Sequence, residues 1–412
     1  MTENRWRADF PIFQEKIYGK PLVYLDSAAT SQMPWQVIER VTRHYTEEHA
    51  NVHRGLHYLS ERSTEAMEET RQQIARWIGA DGPDCIVFTH GATDSIHLAA
   101  GGMADSITAG SAVLVTELEH HSNYVPWQQL CLRKGAEFLV CPACDGELDL
   151  KRMELLLREH DVRLVAVGQV TNLTGTVNPL ERIIPMAHRY GARVLVDGAQ
   201  GILHQGVDVQ ALDADYYVFS GHKMLAPTGV GVLYGKRECL EELQPIRFGG
   251  GMVDIVTAEK TTWRQLPQRL EAGTPDISGI IGLGEAVRYL QANDQQAMHT
   301  HEKALMDYLE ISLQKISCLR ILGHPRERSG SISFAVEGCH PYDIAGMLDK
   351  MGVAVRSGHL CAQPALASLG ETAAVRASVA FYNTREDIDA LCGALEKVIA
   401  ILRSASGKMA RP

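Results

Sequence analysis

The 412-residue chain has no excess of basic charge; its formal net charge is -10. Nucleic-acid binding needs a basic face against phosphate, so no nucleic-acid partner is expected. The chain also lacks any apolar run approaching the roughly 20 residues of a membrane span, so no membrane role is expected. Residues 1–13, MTENRWRADFPIF, lack the continuous apolar stretch of a secretory signal. Together these absences predict a cytoplasmic protein. The 9 cysteines are odd in number and scattered, which excludes a disulfide scaffold in a chain of this length. Cys141-Pro-Ala-Cys144 is the one close pair, and no second pair stands near it to complete a four-ligand zinc site. The pair is read as a strand end and turn, and no metal is assigned. There is no internal repeat and no low-complexity segment.

What is present is an ordinary globular composition, 45% hydrophobic and 22% charged. From about residue 85 to 235, short apolar runs alternate with helical patterns. The candidate strands are Ile86–Thr89, Ala112–Thr116, Glu137–Cys141, Leu164–Val170, Arg193–Val196, Tyr216–Phe219 and Gly231–Tyr234. Most are continuous Val/Leu/Ile/Ala runs, as strands buried on both faces require. Amphipathic stretches such as Leu148–Glu159 and Leu180–Tyr190 lie between them. The rhythm predicts an α/β fold with a mostly parallel sheet, whose ligand site lies at the carboxyl ends of the strands.

Beyond residue 275 the pattern changes to helices Ile277–Asn293, Glu302–Lys315, Pro341–Met351 and Arg385–Leu402 with strands Ser331–Val336, Val353–Arg356 and Val375–Val379. This predicts a smaller α+β domain. Residues 245–275, rich in Gly, Thr and Pro, are read as a functional loop or hinge. The tail SASGKMARP is expected to fray.

Individual residues narrow the chemistry. Lys223 sits in "YYVFSGHKMLAPTGVGVLYG", between two buried apolar strands, where an ordinary ammonium charge is costly. Asp197 ends the apolar run of "RVLVDGAQG"; alone it suits a turn carboxylate as well as a ligand contact. "FTHGATDSIHLAA" is a strand, a Gly-containing turn and a helix start. Its free N–H groups and Thr93 suit one phosphate, while the spacing matches neither a dinucleotide nor a nucleoside triphosphate fingerprint. A strand-end acid, a lysine after the next strand and a single-phosphate cup suit pyridoxal phosphate, which needs a lysine Schiff base, a carboxylate at its ring nitrogen and a helix N-terminus for its phosphate. Ser220 and His222 flank the lysine and could donate to that phosphate.

In "VTELEHHSNYVPW", His120 and His121 follow another strand. Alone they read as surface histidines; in this crevice one could stack on the cofactor ring and move protons. Cys361, in "VAVRSGHLCAQP", lies in a loop, where a nearby cation would favour its reactive thiolate. Arg376 in "VRASVAFYNT" suits either a surface ion pair or a bidentate carboxylate clamp.

Taken together, "VYLDSAATSQMP", "NVHRGLHYLS", "EHHSNYVPW", "VTNLTGTVNP", "VDGAQG", "FSGHKMLAPTGVGVLYG", "FGGGM", "EAGTPD" and "VRSGHLCAQP" resemble the class V aminotransferase group nearly end to end. Within it they are most similar to the cysteine desulfurases of the SufS and CsdA type and the related selenocysteine lyases. The resemblance implies fold type I: a large cofactor domain, residues 20–275, with a mostly parallel seven-stranded sheet, and a small α+β domain, residues 1–19 and 276–412. It implies that Lys223 is the Schiff-base lysine, Asp197 the partner of the ring nitrogen and Gln200 that of the ring hydroxyl. His120 would stack on the ring and shuttle protons. Ala92, Thr93, Ser220 and His222 would hold the phosphate, joined by Thr274 from the other subunit of a homodimer. Arg376 and Asn172 would hold the substrate, and Cys361 would accept sulfur from L-cysteine as a persulfide, leaving alanine.

The expected recipient is a sulfur-acceptor protein of the SufE/SufU type serving iron–sulfur cluster assembly. Alternative readings are a selenocysteine lyase acting on L-selenocysteine, a relative that does not need the cysteine, and a non-catalytic sulfur-relay protein. Three positions depart from the family pattern: Leu360 before the cysteine, His90 opening the phosphate turn, and Asp94 where glutamate is usual. The short cysteine loop resembles the group that needs a separate activating acceptor. His340 is read as structural.

Overall fold

The computed structural model describes residues 4–409. Its main sheet has seven strands: β1 (Ile86–Thr89), β2 (Ala112–Thr116), β3 (Glu137–Cys141), β4 (Val162–Gly168), β5 (Arg193–Asp197), β6 (Tyr216–Ser220) and β7 (Gly231–Gly235). They lie side by side in the order β1-β7-β6-β5-β4-β2-β3. β7 runs antiparallel to β1 and β6, and the other pairs are parallel.

The apolar runs are continuous because both faces are covered. Along β5 and β6, Val194, Val196, Tyr217 and Phe219 enter one core, and Leu195, Tyr216 and Val218 enter the core on the opposite face. The side-chain period of 2 is present, but no face is polar, so it does not show as alternation. Each parallel strand therefore ends at the same edge of the sheet, and the segments after β1, β2, β4, β5 and β6 meet there.

A second sheet has four antiparallel strands: β8 (Leu319–Ile321), β9 (Ser331–Val336), β10 (Arg356–Gly358) and β11 (Ala374–Ser378), in the order β8-β9-β11-β10. The run expected as one strand, Val353–Arg356, is split. Val353–Ala354 pairs with Val23–Tyr24, and the chain re-enters the small sheet at Arg356. Leu25 lies in the small sheet's core with Phe334, Val375 and Leu395. The helix Ile277–Ala292 instead packs Ile280, Leu283 and Val287 into the core that holds Ile74, Phe88 and Phe219.

The next helix begins at Gln295 rather than Glu302. Its first turns, QQAMHTH, carry little apolar pattern, and the start is set by Asp294, whose carboxylate accepts the Ala297 N–H at 3.0 Å. Within residues 245–275 there is a hairpin, Val253–Val256 with Thr261–Trp263. The tail expected to fray is helical to Met409, and residues 410–412 lie outside the described residues. No helix among the described residues is long and apolar enough to cross a membrane.

Candidate active site

A cavity of about 360 Å³ opens where the parallel strands end. Lys223, Asp197, His120, Gln200, Ala92, Thr93, Ser220, His222, Asn172, Arg376 and Cys361 all line it. They come from segments up to 284 residues apart in sequence (Ala92 to Arg376, 376 − 92). Thr274 does not line it; that residue is exposed, just beyond Glu271, which the buried Arg71 holds at 2.7 Å.

At one end stands the helix Ala92–Gly102, preceded by Gly91 at φ 144°, a backbone region that favours glycine. Close packing adds a second demand there, because a Cβ on Gly231 would stand 2.3 Å from the Gly91 Cα. The Ala92 N–H points at Ser220 and donates to its Oγ at 2.8 Å. Thr93 pairs with Ser122 at 2.7 Å. The His222 carbonyl accepts from Ser31 N at 2.9 Å, which fixes the turn before the lysine. A helix N-terminus ringed by the Ser220, Thr93 and Ser122 hydroxyls makes this end suited to an anion. His90 is exposed and outside the lining, whereas Asp94 accepts the His90 N–H at 3.0 Å and pairs with Arg247. The two departures in this turn thus hold the loop from outside.

At the other end Asp197 is buried, with Oδ1 accepting the Ala199 N–H at 2.9 Å. Burial pushes its pKa up, and the Ala199 bond and the Lys223 charge draw it down. Gln200 donates from Nε2 to the Ala28 carbonyl at 2.8 Å. Burial lowers the pKa of Lys223 to about 8; Asp197 and Cys361 favour its charge, and Arg376 opposes it. His120 is lowered further, to about 3, by burial first and then by Lys223. Its Nδ1 accepts the Ser122 N–H at 3.0 Å, so the neutral ring carries its proton on Nε2.

Arg376 is buried and donates from Nη1 to the Asn172 carbonyl at 2.9 Å. Its Nη2 lies 3.5 Å from Asp26, whose other oxygen accepts from Arg356 at 2.7 Å. Burial lowers the Arg376 pKa to about 10, against the pull of Asp26. Arg376 Nε and Asn172 Oδ1 are buried without a partner. Buried polar atoms left open in this way suit a ligand that satisfies them.

Cys361 hangs exposed at the mouth, on a loop where Leu360 and Cys361 both have positive φ, 54° and 52°. Leu360 explains its departure from the family pattern: its side chain is buried with Leu118, Leu173 and Leu366 and anchors the loop. Asn172 Nδ2 donates to the Leu360 carbonyl at 2.6 Å. His340 caps the helix Pro341–Asp349, accepting the Tyr342 N–H at 3.3 Å.

Sequence reasoning missed Glu119, Asp26 and Arg356. Glu119 is a buried carboxyl pushed up to about 7 by burial, though Thr116, Asn123 and the Gly168 N–H all bond to it. It ties the ends of β2 and β4 together beneath His120. The polar residue closing the apolar run "AVLVTELE" was its only signal.

The residues fit pyridoxal phosphate: an anion cup at one end, a buried acid at the other, and a half-buried lysine between them with its pKa drawn towards neutrality. About a tenth of Lys223 is neutral at pH 7 if its pKa is near 8. Cofactor uptake by the apo-protein, followed by visible absorbance, is therefore expected to rise with pH and reach half its limit near pH 8. A midpoint at the ordinary lysine value of 10.5 would show that burial leaves the amine untouched.

Comparisons with known proteins agree with this geometry. The Aminotransferase class-V family profile matches residues 23–391. A cysteine desulfurase of Dickeya dadantii is 46% identical over 402 residues, spanning 97% of each chain. The crystal structure of the cysteine desulfurase CsdA from Escherichia coli, in an S-sulfonic acid form, is 38% identical with a TM-score of 0.88, covering 97% of this chain and 99% of that one. The apo structure of a cysteine desulfurase from Thermococcus onnurineus is 35% identical with a TM-score of 0.91, covering 97% and 98%. A profile match over most of the chain, carried on a fold that superposes nearly end to end, places this chain in the class-V aminotransferase family.

Proposed function

We propose that this chain is a pyridoxal phosphate-dependent cysteine desulfurase that turns L-cysteine into L-alanine and stores the sulfur on Cys361. The observation that carries the reading is the exposed Cys361 at the mouth of a cavity that also holds Lys223, Asp197 and Arg376. The names of its full-length relatives support it.

In this reading Ala92, Thr93, Ser220 and His222 hold the cofactor phosphate, Asp197 its ring nitrogen and Gln200 its ring oxygen. His120 covers the ring face as a neutral imidazole. Bound pyridoxal phosphate supplies an electron sink for charge left at the substrate α-carbon. Arg376, steered by Asp26 and the Asn172 carbonyl, grips the substrate carboxylate. Lys223 takes the α-proton at Nζ in its neutral form. The Cys361 sulfur attacks the substrate sulfur: an S–S bond forms and the substrate Cβ–S bond breaks. The electron pair stays with the carbon fragment, which is protonated and leaves as alanine. Cysteine plus the Cys361 thiol thus become alanine plus a persulfide, with no outside oxidant.

The wider reading has further parts. Thr274, exposed here, reaches the phosphate of a second copy in a homodimer. A SufE/SufU-type acceptor, in the cytoplasm, takes the persulfide towards iron–sulfur assembly. The two-domain division near residue 275 is also proposed, with the packing of Ile277–Ala292 favouring the large domain for that helix.

One turnover on L-cysteine without reductant tests the central claim. Mass spectrometry is expected to find one added sulfur on the Cys361 peptide, matched by equal alanine. A persulfide on another cysteine, or turnover of L-selenocysteine with none of L-cysteine, would overturn it. Arg376→Lys is expected to raise KM for L-cysteine about 10- to 100-fold, the loss of a charge-assisted bond worth roughly 1.5–3 kcal/mol. Steady-state kinetics check this; an unchanged KM would move the carboxylate elsewhere.

A further inference from the structure

We infer that His121 is a positioning residue for the sulfur-accepting thiol, clasping the Cys361 loop from both sides; this rests on Cys361 being the nucleophile. The His121 backbone N–H donates to the Cys361 carbonyl at 2.7 Å. Its ring Nε2 accepts the Gln363 N–H at 3.1 Å. Between those bonds lies Ala362, and the residue that carries the thiol is itself held at its carbonyl.

The clasp has something to hold. The left-handed backbone of Leu360 and Cys361 is unfavourable for residues with a Cβ and persists only where its surroundings impose it. Several supports are internal to the loop: the Cys361 N–H donates to His359 Nδ1 at 3.2 Å, and the Ala362 N–H to the His359 carbonyl at 3.0 Å. Asn172 holds Leu360 from the segment after β4. His121 holds the far side, from the turn after β2. That turn also carries His120, so of two adjacent histidines one lines the cavity beside Lys223 and the other holds the nucleophile loop. One short segment thereby sets the distance between the two reacting parts.

The same side chains invite another reading. Ligand atoms of His121, His359 and Cys361 lie within 4.8 Å of one another, as in a metal site. Yet His121 Nε2 and His359 Nδ1 are each engaged by a backbone N–H. A metal-bound imidazole carries its proton on the second nitrogen and donates it. Rings that accept backbone N–H groups are arranged as supports. Burial, then the neighbouring His359, lowers the His121 pKa, in keeping with a neutral acceptor ring.

The test compares holoenzymes of wild type, His121→Leu and His121→Gln, since glutamine keeps an acceptor near the Nε2 position. His121→Leu is expected to lower kcat for alanine formation about 10- to 100-fold, the effect of misplacing a reacting atom by about 1 Å, with KM within about twofold. Exchange of the substrate α-proton with deuterated solvent, which needs Lys223 and not Cys361, is expected to persist. His121→Gln is expected to recover most of the lost kcat. Wild-type kcat in His121→Leu, or proton exchange falling in step with kcat, would overturn the inference. So would a folded His121→Gln as slow as the leucine variant, and glutamine alone decides if the leucine variant does not fold. A wild type that forms no alanine from L-cysteine would instead overturn the proposed function.

Discussion

Cys361→Ala is expected to lower both sulfide and alanine release from L-cysteine by roughly three orders of magnitude or more, because the substrate sulfur then has no nucleophile to leave with. The cofactor's visible band and α-proton exchange should survive, since the variant leaves both Lys223 and the phosphate cup in place. Stability should change little: Cys361 is exposed, and the loop is anchored by Leu360 rather than by the thiol. Product release with and without a reductant measures this. Full activity on L-cysteine in the variant would remove Cys361 from the reaction while leaving the cofactor site intact.

Lys223→Ala is expected to be as severe, for a different reason. In the proposed reading it removes the base that takes the α-proton, a role worth about 10²- to 10⁴-fold, and also the covalent hold on the cofactor. Proton exchange should vanish together with alanine formation, which separates this variant from Cys361→Ala. The loss also leaves Asp197 buried without the cation that draws its pKa down, so its carboxyl should titrate higher still in the apo-protein. Exchange and turnover followed in parallel check the claim; retained exchange would assign the base to another group.

Much of this site was legible in the sequence because its parts sit where strands end. Asp197 closes an apolar run and Lys223 follows the next, so a parallel sheet brings them to one edge whatever the details of packing. In the main sheet, expected and observed strands agree to within a residue or two for the same reason: a strand buried on both faces leaves an unbroken apolar signature. What was hidden depends on partners distant in sequence. Asp26 has no local pattern, and its role comes from Arg356 and Arg376, more than 300 residues on. Glu119 looks like a surface acid until three donors surround it. The hairpin Val253–Trp263 is short and largely exposed, so it has no buried face to announce it. The start at Gln295 rests on one capping carboxylate.

The Asp26 carboxylate orients an arginine that reaches from one sheet to the other. It lies where the N-terminal segment leaves the small sheet, and it binds arginines of β10 and β11, while Arg376 also bonds to Asn172 at the edge of the large sheet. A carboxylate ligand gripping Arg376 therefore bridges the two sheets like a staple. Part of its binding energy goes into holding them at a fixed angle, so ligand and architecture share one free energy. In its presence, backbone amides in β10 and β11 should exchange with solvent more slowly and the connecting segments should resist proteases longer.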